Sequence, residues 1–127
     1  MKFSIDKQEK YTLFTPEEEK IDSTVAPDLK AEFITLFQSG IQNLILNMAQ
    51  VKYVDSSGLS AFLMAQRMAQ RANGLFVVAA STEHVSKLIK ISKLDAVFEV
   101  VPTVQHGIDL TFVKELEKDI DPEDDNA

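Results

Sequence analysis

Residues 43–72 read NLILNMAQVKYVDSSGLSAFLMAQRMAQRA and pass from a predicted strand through a short polar turn into a predicted helix. The apolar run at residues 44–46, followed by Met48, is typical of a strand buried on both faces of a parallel sheet. Later apolar residues recur at helical spacing in two stripes, one of Leu59, Phe62 and Leu63 and the other of Ala61, Ala65, Met68, Ala69 and Ala72. Between strand and helix lie Asp55, Ser56, Ser57 and Gly58, here called the DSSG turn. Open α/β sheets usually keep their functional residues at such an edge, so this turn is the candidate site.

Strands and helices alternate along the rest of the chain. Predicted strands at residues 2–7 and 10–15 form a hairpin through a turn at 7–10. A short strand end is predicted at Ile21, and two later strands at residues 75–80 and 97–101. One predicted helix begins at Ser23 or Thr24 and ends at Gly40. Another begins at Ser81 or Thr82, and the last begins after Pro102. The last helix has an apolar side formed by Ile108, Phe112, Val113 and Leu116.

This order of elements predicts a single-domain α/β fold, with a mixed, mainly parallel sheet of about four to five strands and about four helices. We expect the domain to span residues 1–118. Residues 119–127 (DIDPEDDNA) are acidic and nearly devoid of apolar side chains. Such a segment buries too little surface to offset its ordering entropy, so we expect an acidic disordered tail there.

Composition narrows the class of protein. The 127 residues, 45% hydrophobic and 26% charged, suit one globular domain with one core. There is no cysteine, which excludes disulfides, thiolate metal sites and a cysteine nucleophile. A net charge of −7 argues against nucleic-acid binding and favours partners with basic patches. Because no apolar run approaches the roughly 18 residues of a spanning helix, we expect a cytoplasmic protein without membrane insertion.

Motifs for catalysis are missing from the sequence. It has neither a P-loop nor a Gly-x-Gly-x-x-Gly pattern, and the Gly-x-Ser-x-Gly elbow of serine hydrolases is absent around Ser57. His84 and His106 belong to different predicted helices and form no metal-binding pair. The carboxylates at residues 17–19 are best interpreted as a solvated loop. We therefore predict no enzymatic activity, no catalytic residue, no metal and no cofactor.

The DSSG turn has two interpretations on its own residues. In the simpler one, Asp55 or a serine is an ordinary helix N-cap, and Gly58 allows close packing in the first turn. In the functional one, a serine at the helix N-terminus carries a phosphate, because free N–H groups and the helix dipole stabilise an anion there. Phosphate adds about −1.5 to −2 charges, so it would change partner binding without changing the fold.

The turn and its neighbours also resemble a known family. Residues 47–49 (Asn-Met-Ala) together with residues 54–59 (Val-Asp-Ser-Ser-Gly-Leu) resemble the signature of STAS domains of the anti-sigma factor antagonist type. Residues 73–78, 85–94 and 97–98 resemble later family segments in register, and residues 21–22 match the end of the family's Gly-Glu-Leu-Asp element. The resemblance covers roughly residues 8–116, with Asp-Ser-Ser-Gly-Leu as its most specific part.

The resemblance implies a regulatory protein that acts by partner switching in signal transduction and transcription. Ser57 corresponds to the serine that the family's partner, an ATP-dependent anti-sigma factor serine kinase, phosphorylates. The unphosphorylated form is expected to bind that kinase, and a serine phosphatase acting on the phosphorylated form resets the switch. The implied partner-binding and switch residues are Asp22, Asp55, Ser56, Gly58 and Leu59.

Two alternatives remain open at the level of sequence. Residues 14–22 read FTPEEEKID and lack the family's glycine before Asp22. This difference favours a second hypothesis, a STAS scaffold or accessory subunit of a transporter or stress-signalling complex that is never phosphorylated. A third hypothesis, a small-ligand binder or enzyme using the DSSG turn as an anion site, follows from the general affinity of helix N-termini for anions.

Overall fold

The computed structural model describes residues 1–120 and contains the alternating elements that the sequence predicts. Its strands are β1 (Phe3–Lys7), β2 (Thr12–Pro16), β3 (Lys20–Ile21), β4 (Leu44–Asn47), β5 (Tyr53–Val54), β6 (Phe76–Ala79) and β7 (Glu99–Val101). Its α-helices are α1 (Ala26–Gln38), α2 (Ser56–Arg71), α3 (Glu83–Ile91) and α4 (Val104–Asp119), and a 3-10 turn covers Leu94–Ala96. The predicted α/β class and four helices are confirmed, whereas β5 and the 3-10 turn were not predicted.

Five strands form the main sheet in the order β1-β2-β4-β6-β7. The β1–β2 hairpin is antiparallel, as predicted, and the other pairs are parallel, with Leu44 of β4 between Thr12 and Phe76. The sheet is therefore mixed and mainly parallel. The remaining strands, β3 and β5, form a separate parallel pair in which Ile21 is opposite Val54. That small second sheet positions the DSSG turn.

Side chains of the main sheet alternate between two apolar layers. One face packs against α1, α2 and α3 through Phe14, Leu44, Leu46, Phe76 and Val78. The other face packs against α4 through Ile45, Val77, Ala79 and Val101. Tyr11 and Leu13 contact the α4 layer, whereas Phe14 is fully buried on the opposite face. The two helical layers thus cover both faces of strand β2, and β1 pairs with its outer edge.

The start of α1 differs from the prediction by two or three residues. The helix begins at Ala26 with Val25 as N-cap, and neither Ser23 nor Thr24 caps it. The reason is Asp22, whose Oδ1 accepts hydrogen bonds from the backbone N–H of Thr24 at 3.0 Å and from its hydroxyl at 2.6 Å. This closes a turn ahead of the helix. At the other end, Gly40 has a φ of +102° and follows the C-cap Ser39, as expected for a helix stop.

Helix α4 uses a different face from the apolar side that the sequence suggests. Its buried residues are Gly107 and Thr111, and Ile108 packs beside them against the sheet. The other three apolar residues of the predicted side, Phe112, Val113 and Leu116, are exposed. The helix continues to Asp119, so the predicted tail at 119–127 begins within it, and residues 121–127 lie outside the described part of the chain. Within residues 1–120, no helix combines the length and hydrophobicity needed to cross a bilayer.

Candidate functional site

The DSSG turn follows the short strand β5 and forms the start of α2. The sequence predicts this turn at the end of the buried strand that begins near residue 43. Instead, β4 ends at Asn47, and a connection and β5 intervene. Because Val54 pairs with Ile21, the next residues of the two strands, Asp55 and Asp22, leave the small sheet at the same edge. The Asp55 N–H donates to the carbonyl of Ile21 at 3.2 Å, which fixes the two segments together.

Asp55 is the N-cap of α2. Its Oδ1 accepts hydrogen bonds from the backbone N–H groups of Ser57 at 2.9 Å and Gly58 at 3.2 Å. The same oxygen accepts the Ser57 hydroxyl at 2.5 Å. These bonds lower the pKa of Asp55, with the Ser57 hydroxyl as the largest cause, against the opposing effect of burial. The simpler interpretation of the turn, an ordinary N-cap, is therefore confirmed, and it leaves one serine hydroxyl held on the capping carboxylate.

Gly58 is required by packing rather than by an unusual backbone conformation. A Cβ atom at this position would lie 2.6 Å from Cγ1 of Val54 and 2.8 Å from the carbonyl oxygen of Ile21. The first turn of α2 thus presses directly on the paired strands β3 and β5. This contact ties the position of the DSSG turn to the segment that carries Asp22.

The two serines of the turn have different surroundings. Ser56 is exposed at the first position of α2, whereas Ser57 is half-buried with its hydroxyl directed at Asp55. Leu59 is also half-buried and packs against the larger apolar layer. Of the predicted site residues, the structure therefore brings Asp22 and residues 55–58 together. Leu59, the next residue of α2, packs against the core instead.

Asp22 adds a second carboxylate at this edge. Hydrogen bonds from Thr24, first of all its hydroxyl, lower the pKa of Asp22, while the nearby negative charge of Asp55 acts in the opposite direction. In turn, a backbone hydrogen bond from Ser23 contributes to the lowered pKa of Asp55. The loop before α1 and the DSSG turn are therefore in electrostatic contact, and both carboxylates are ionised at neutral pH.

The loop that lacks the family's glycine is bonded to the same small sheet. The carbonyl of Glu19 accepts hydrogen bonds from the N–H groups of Lys52 at 2.8 Å and Tyr53 at 3.1 Å. The Lys52 ammonium also lies 3.3 Å from the Glu19 carboxylate. Glu18 accepts a hydrogen bond from the Lys2 N–H at 2.9 Å. Hydrogen bonds and an ion pair thus hold Glu18 and Glu19 in place beside Asp22.

Sequence reasoning missed Tyr53, which is 44% exposed on β5 two residues before Asp55. Its neighbour Val54 is almost fully buried, so the alternation of the strand turns the tyrosine ring outward. In residues 1–120, no group of three or more His, Asp or Glu side chains is placed to hold a metal ion, and His84 and His106 are exposed on α3 and α4.

Comparison with known proteins begins at the level of the family. A family model described as STAS domain matches residues 2–107. A candidate anti-sigma factor antagonist of Bordetella bronchiseptica, BtrV, is 25% identical over 80 residues, which are 63% of this chain and 69% of that protein. The resemblance inferred from the DSSG turn and its neighbours is thereby confirmed.

Solved structures match the fold. The crystal structure of a candidate anti-sigma factor antagonist from Thermotoga maritima superposes with a TM-score of 0.80 at 16% identity, over 86% of this chain and 93% of that one. The phosphorylated form of SpoIIAA, a cell fate determinant of Bacillus, superposes with a TM-score of 0.67 at 18% identity, over 85% of this chain and 97% of that one.

Proposed function

This chain belongs to the STAS domain family, and on that basis we propose that it is an anti-sigma factor antagonist controlled by phosphorylation of Ser57. The observation that carries the proposal is the hydroxyl of Ser57, which is half-buried in the first turn of α2 and donates to Asp55 at 2.5 Å. The similarity to BtrV of Bordetella bronchiseptica supports the antagonist role. The phosphorylated SpoIIAA structure supports the idea that this fold accommodates a phosphate.

The chemistry of the switch requires little of this chain. In the transfer, Ser57 Oγ attacks the terminal phosphorus of ATP held by a kinase, the new O–P bond forms, and the bond to ADP breaks. The hydroxyl proton leaves Oγ, and Asp55 Oδ1 is already its hydrogen-bond acceptor. The chain is thus a substrate and binding partner that contributes a positioned hydroxyl, and the kinase supplies the nucleotide.

Phosphate at this position changes the surface more than the fold. The phosphoester has no hydroxyl hydrogen, so the bond from Ser57 Oγ to Asp55 is lost. The N–H groups of Ser57 and Gly58 remain at the helix N-terminus, where an anion is stabilised. The new charge joins those of Asp22 and Asp55, so the edge becomes strongly negative and strongly hydrated. A partner that buries this edge would have to desolvate that charge.

The proposed docking surface consists of the exposed or half-buried groups around this hydroxyl. Ser56 and Tyr53 provide its exposed side chains, and Asp22 borders it from the loop before α1. The unphosphorylated form binds an anti-sigma factor serine kinase here, which frees the sigma factor. A serine phosphatase restores the binding form by hydrolysing the phosphoester.

Mass spectrometry of the protein isolated from its native cells tests the proposal. Trypsin cleavage after Lys52 and Arg67 gives the peptide 53–67, which contains Ser56, Ser57 and Ser60. We expect a fraction of this peptide to carry one phosphoryl group, with fragment ions assigning it to Ser57. A Ser57→Ala chain expressed in the same cells is the control and should lack it.

Phosphate on Ser56 or Ser60, or persistence of the modification in the Ser57→Ala chain, would contradict the assignment. Complete absence of phosphate under conditions where the partner kinase is active would support the unphosphorylated scaffold instead.

A further inference from the structure

Helix α4 carries an apolar stripe on its solvent side. The stripe consists of Phe112, Val113, Leu116 and Ile120, whose exposed fractions are 46%, 49%, 63% and 59%. Phe112, Val113 and Leu116 lie on one face of the helix, and Ile120 follows its last residue as the C-cap. The Phe112 ring makes an edge contact with Tyr11, with ring centroids 6.5 Å apart, so one border of this α4 stripe is anchored to the sheet. Contiguous apolar patches of this kind on a protein surface mark interaction sites.

The charges around the α4 stripe are negative. Exposed acidic residues on the helix are Asp109, Glu117 and Asp119. The lysines of this helical segment lie on other sides: Lys114 is half-buried, and Lys118 is bonded to Glu115 at 3.0 Å and to Gln42 at 3.3 Å.

The position of the α4 stripe separates it from the DSSG turn. Helix α4 covers one face of the main sheet, whereas α2, which begins with the DSSG turn, packs against the other face. The match to the STAS family model ends at residue 107, before the first residue of the stripe. The stripe therefore lies outside the residues that the family model matches.

We propose that the α4 stripe binds a basic amphipathic helix of a partner protein. The apolar face of such a helix would pack along Phe112, Leu116 and Ile120, with anchor residues at helical spacing. Its lysine or arginine residues would pair with Asp109, Glu117 and Asp119. A second copy of this chain fits less well, because a symmetric contact through α4 would bring the same acidic side chains together.

A defined probe tests this surface directly. The probe is a short synthetic leucine–lysine peptide whose leucines repeat at helical spacing, labelled with a fluorophore and titrated with the full chain by anisotropy. We expect binding that weakens as salt is raised. Leu116→Ser should weaken it about tenfold or more, because it removes the most exposed apolar contact at the centre of the stripe. Glu117→Lys, which changes only an exposed charge, should also weaken it.

The matched control is Ile91→Ser, which replaces a 79% exposed apolar residue on α3, a helix on the other face of the sheet. It should leave peptide binding unchanged. A scrambled peptide of the same composition should bind much more weakly than the amphipathic one.

Three results would overturn the proposal. The first is equal binding of the scrambled peptide, and the second is an equal loss of affinity in Ile91→Ser and Leu116→Ser. The third is a dimer, seen by light scattering of the chain alone, that Leu116→Ser converts to a monomer, since a second copy would then cover the stripe.

Discussion

Asp22 and Asp55 occupy equivalent positions at the ends of two paired strands, because Ile21 of β3 is opposite Val54 of β5. Each carboxylate is held by a hydroxyl two residues later, Asp22 by Thr24 and Asp55 by Ser57. The two turns thus share one hydrogen-bonding pattern, and the serine of the second turn is the hydroxyl proposed to receive the phosphate. We therefore expect a substitution at Ser57 to change the pKa of Asp55.

Replacing Ser57 with alanine should raise the pKa of Asp55 towards its ordinary value near 3.8, because the Ser57 hydroxyl is the largest cause that lowers it. A carboxyl with a lowered pKa in the folded state adds stability above 3.8, and this contribution is lost as the pH falls through the folded value. The variant should therefore be less stable than the wild type at neutral pH, and the difference should disappear in acid.

Carbon-detected NMR titration of the Asp55 carboxyl, with urea unfolding at several pH values, measures both effects. Ser56→Ala is the control, since the exposed Ser56 side chain does not contribute to the lowered pKa of Asp55. An unchanged Asp55 pKa in Ser57→Ala would show that the hydroxyl does not hold the carboxylate in solution.

Gly58→Ala should destabilise the fold by about 1–3 kcal/mol, the usual cost of adding an atom to a packed region. The new Cβ would meet the Ile21 carbonyl oxygen at 2.8 Å, and a backbone atom of a paired strand cannot move away easily. Urea unfolding followed by circular dichroism measures the loss. Ser60→Ala, at an exposed position of the same helix, serves as control and should stay close to the wild type. A Gly58→Ala variant as stable as the control would rule out this tight contact.

Ser57→Asp should weaken binding to the proposed partner of the unphosphorylated chain, an anti-sigma factor serine kinase, about tenfold or more. The reason is the added charge at an edge that already carries Asp22 and Asp55. Ser57→Asn has nearly the same size without the charge, so it should bind more tightly than Ser57→Asp. Isothermal titration of the three chains separates charge from shape. Equal affinities of the Asp and Asn variants would remove the charge explanation.

Much of this architecture was predictable because its signals are local. The apolar run at residues 44–46 predicted a strand buried on both faces, and all three side chains are fully buried. The DSSG turn was identified from residue types at fixed spacing, and Asp55 caps α2 as such residues usually do.

What escaped prediction depends on partners distant in the sequence. Tyr53 and Val54 are too few to show a strand pattern, and they form β5 only because Lys20 and Ile21 lie beside them. The outward direction of Phe112 and Leu116 follows from the way α4 crosses the sheet at Gly107 and Thr111, which helical periodicity alone does not reveal.

Tyr53→Ala should weaken binding of the unphosphorylated chain to the proposed kinase partner about tenfold while leaving the fold intact, since exposed aromatic side chains often contribute most to interface energy. The ring is 44% exposed, and its backbone N–H, which bonds to Glu19, is unaffected by the substitution. The matched control is Ile5→Ala, a 39% exposed apolar residue of the edge strand β1 in the other sheet. Titration calorimetry with the kinase and urea unfolding of both variants give affinity and stability separately. If Tyr53→Ala binds as tightly as Ile5→Ala, the partner does not use β5, and the docking surface must be redrawn around Ser56 and the loop at Asp22.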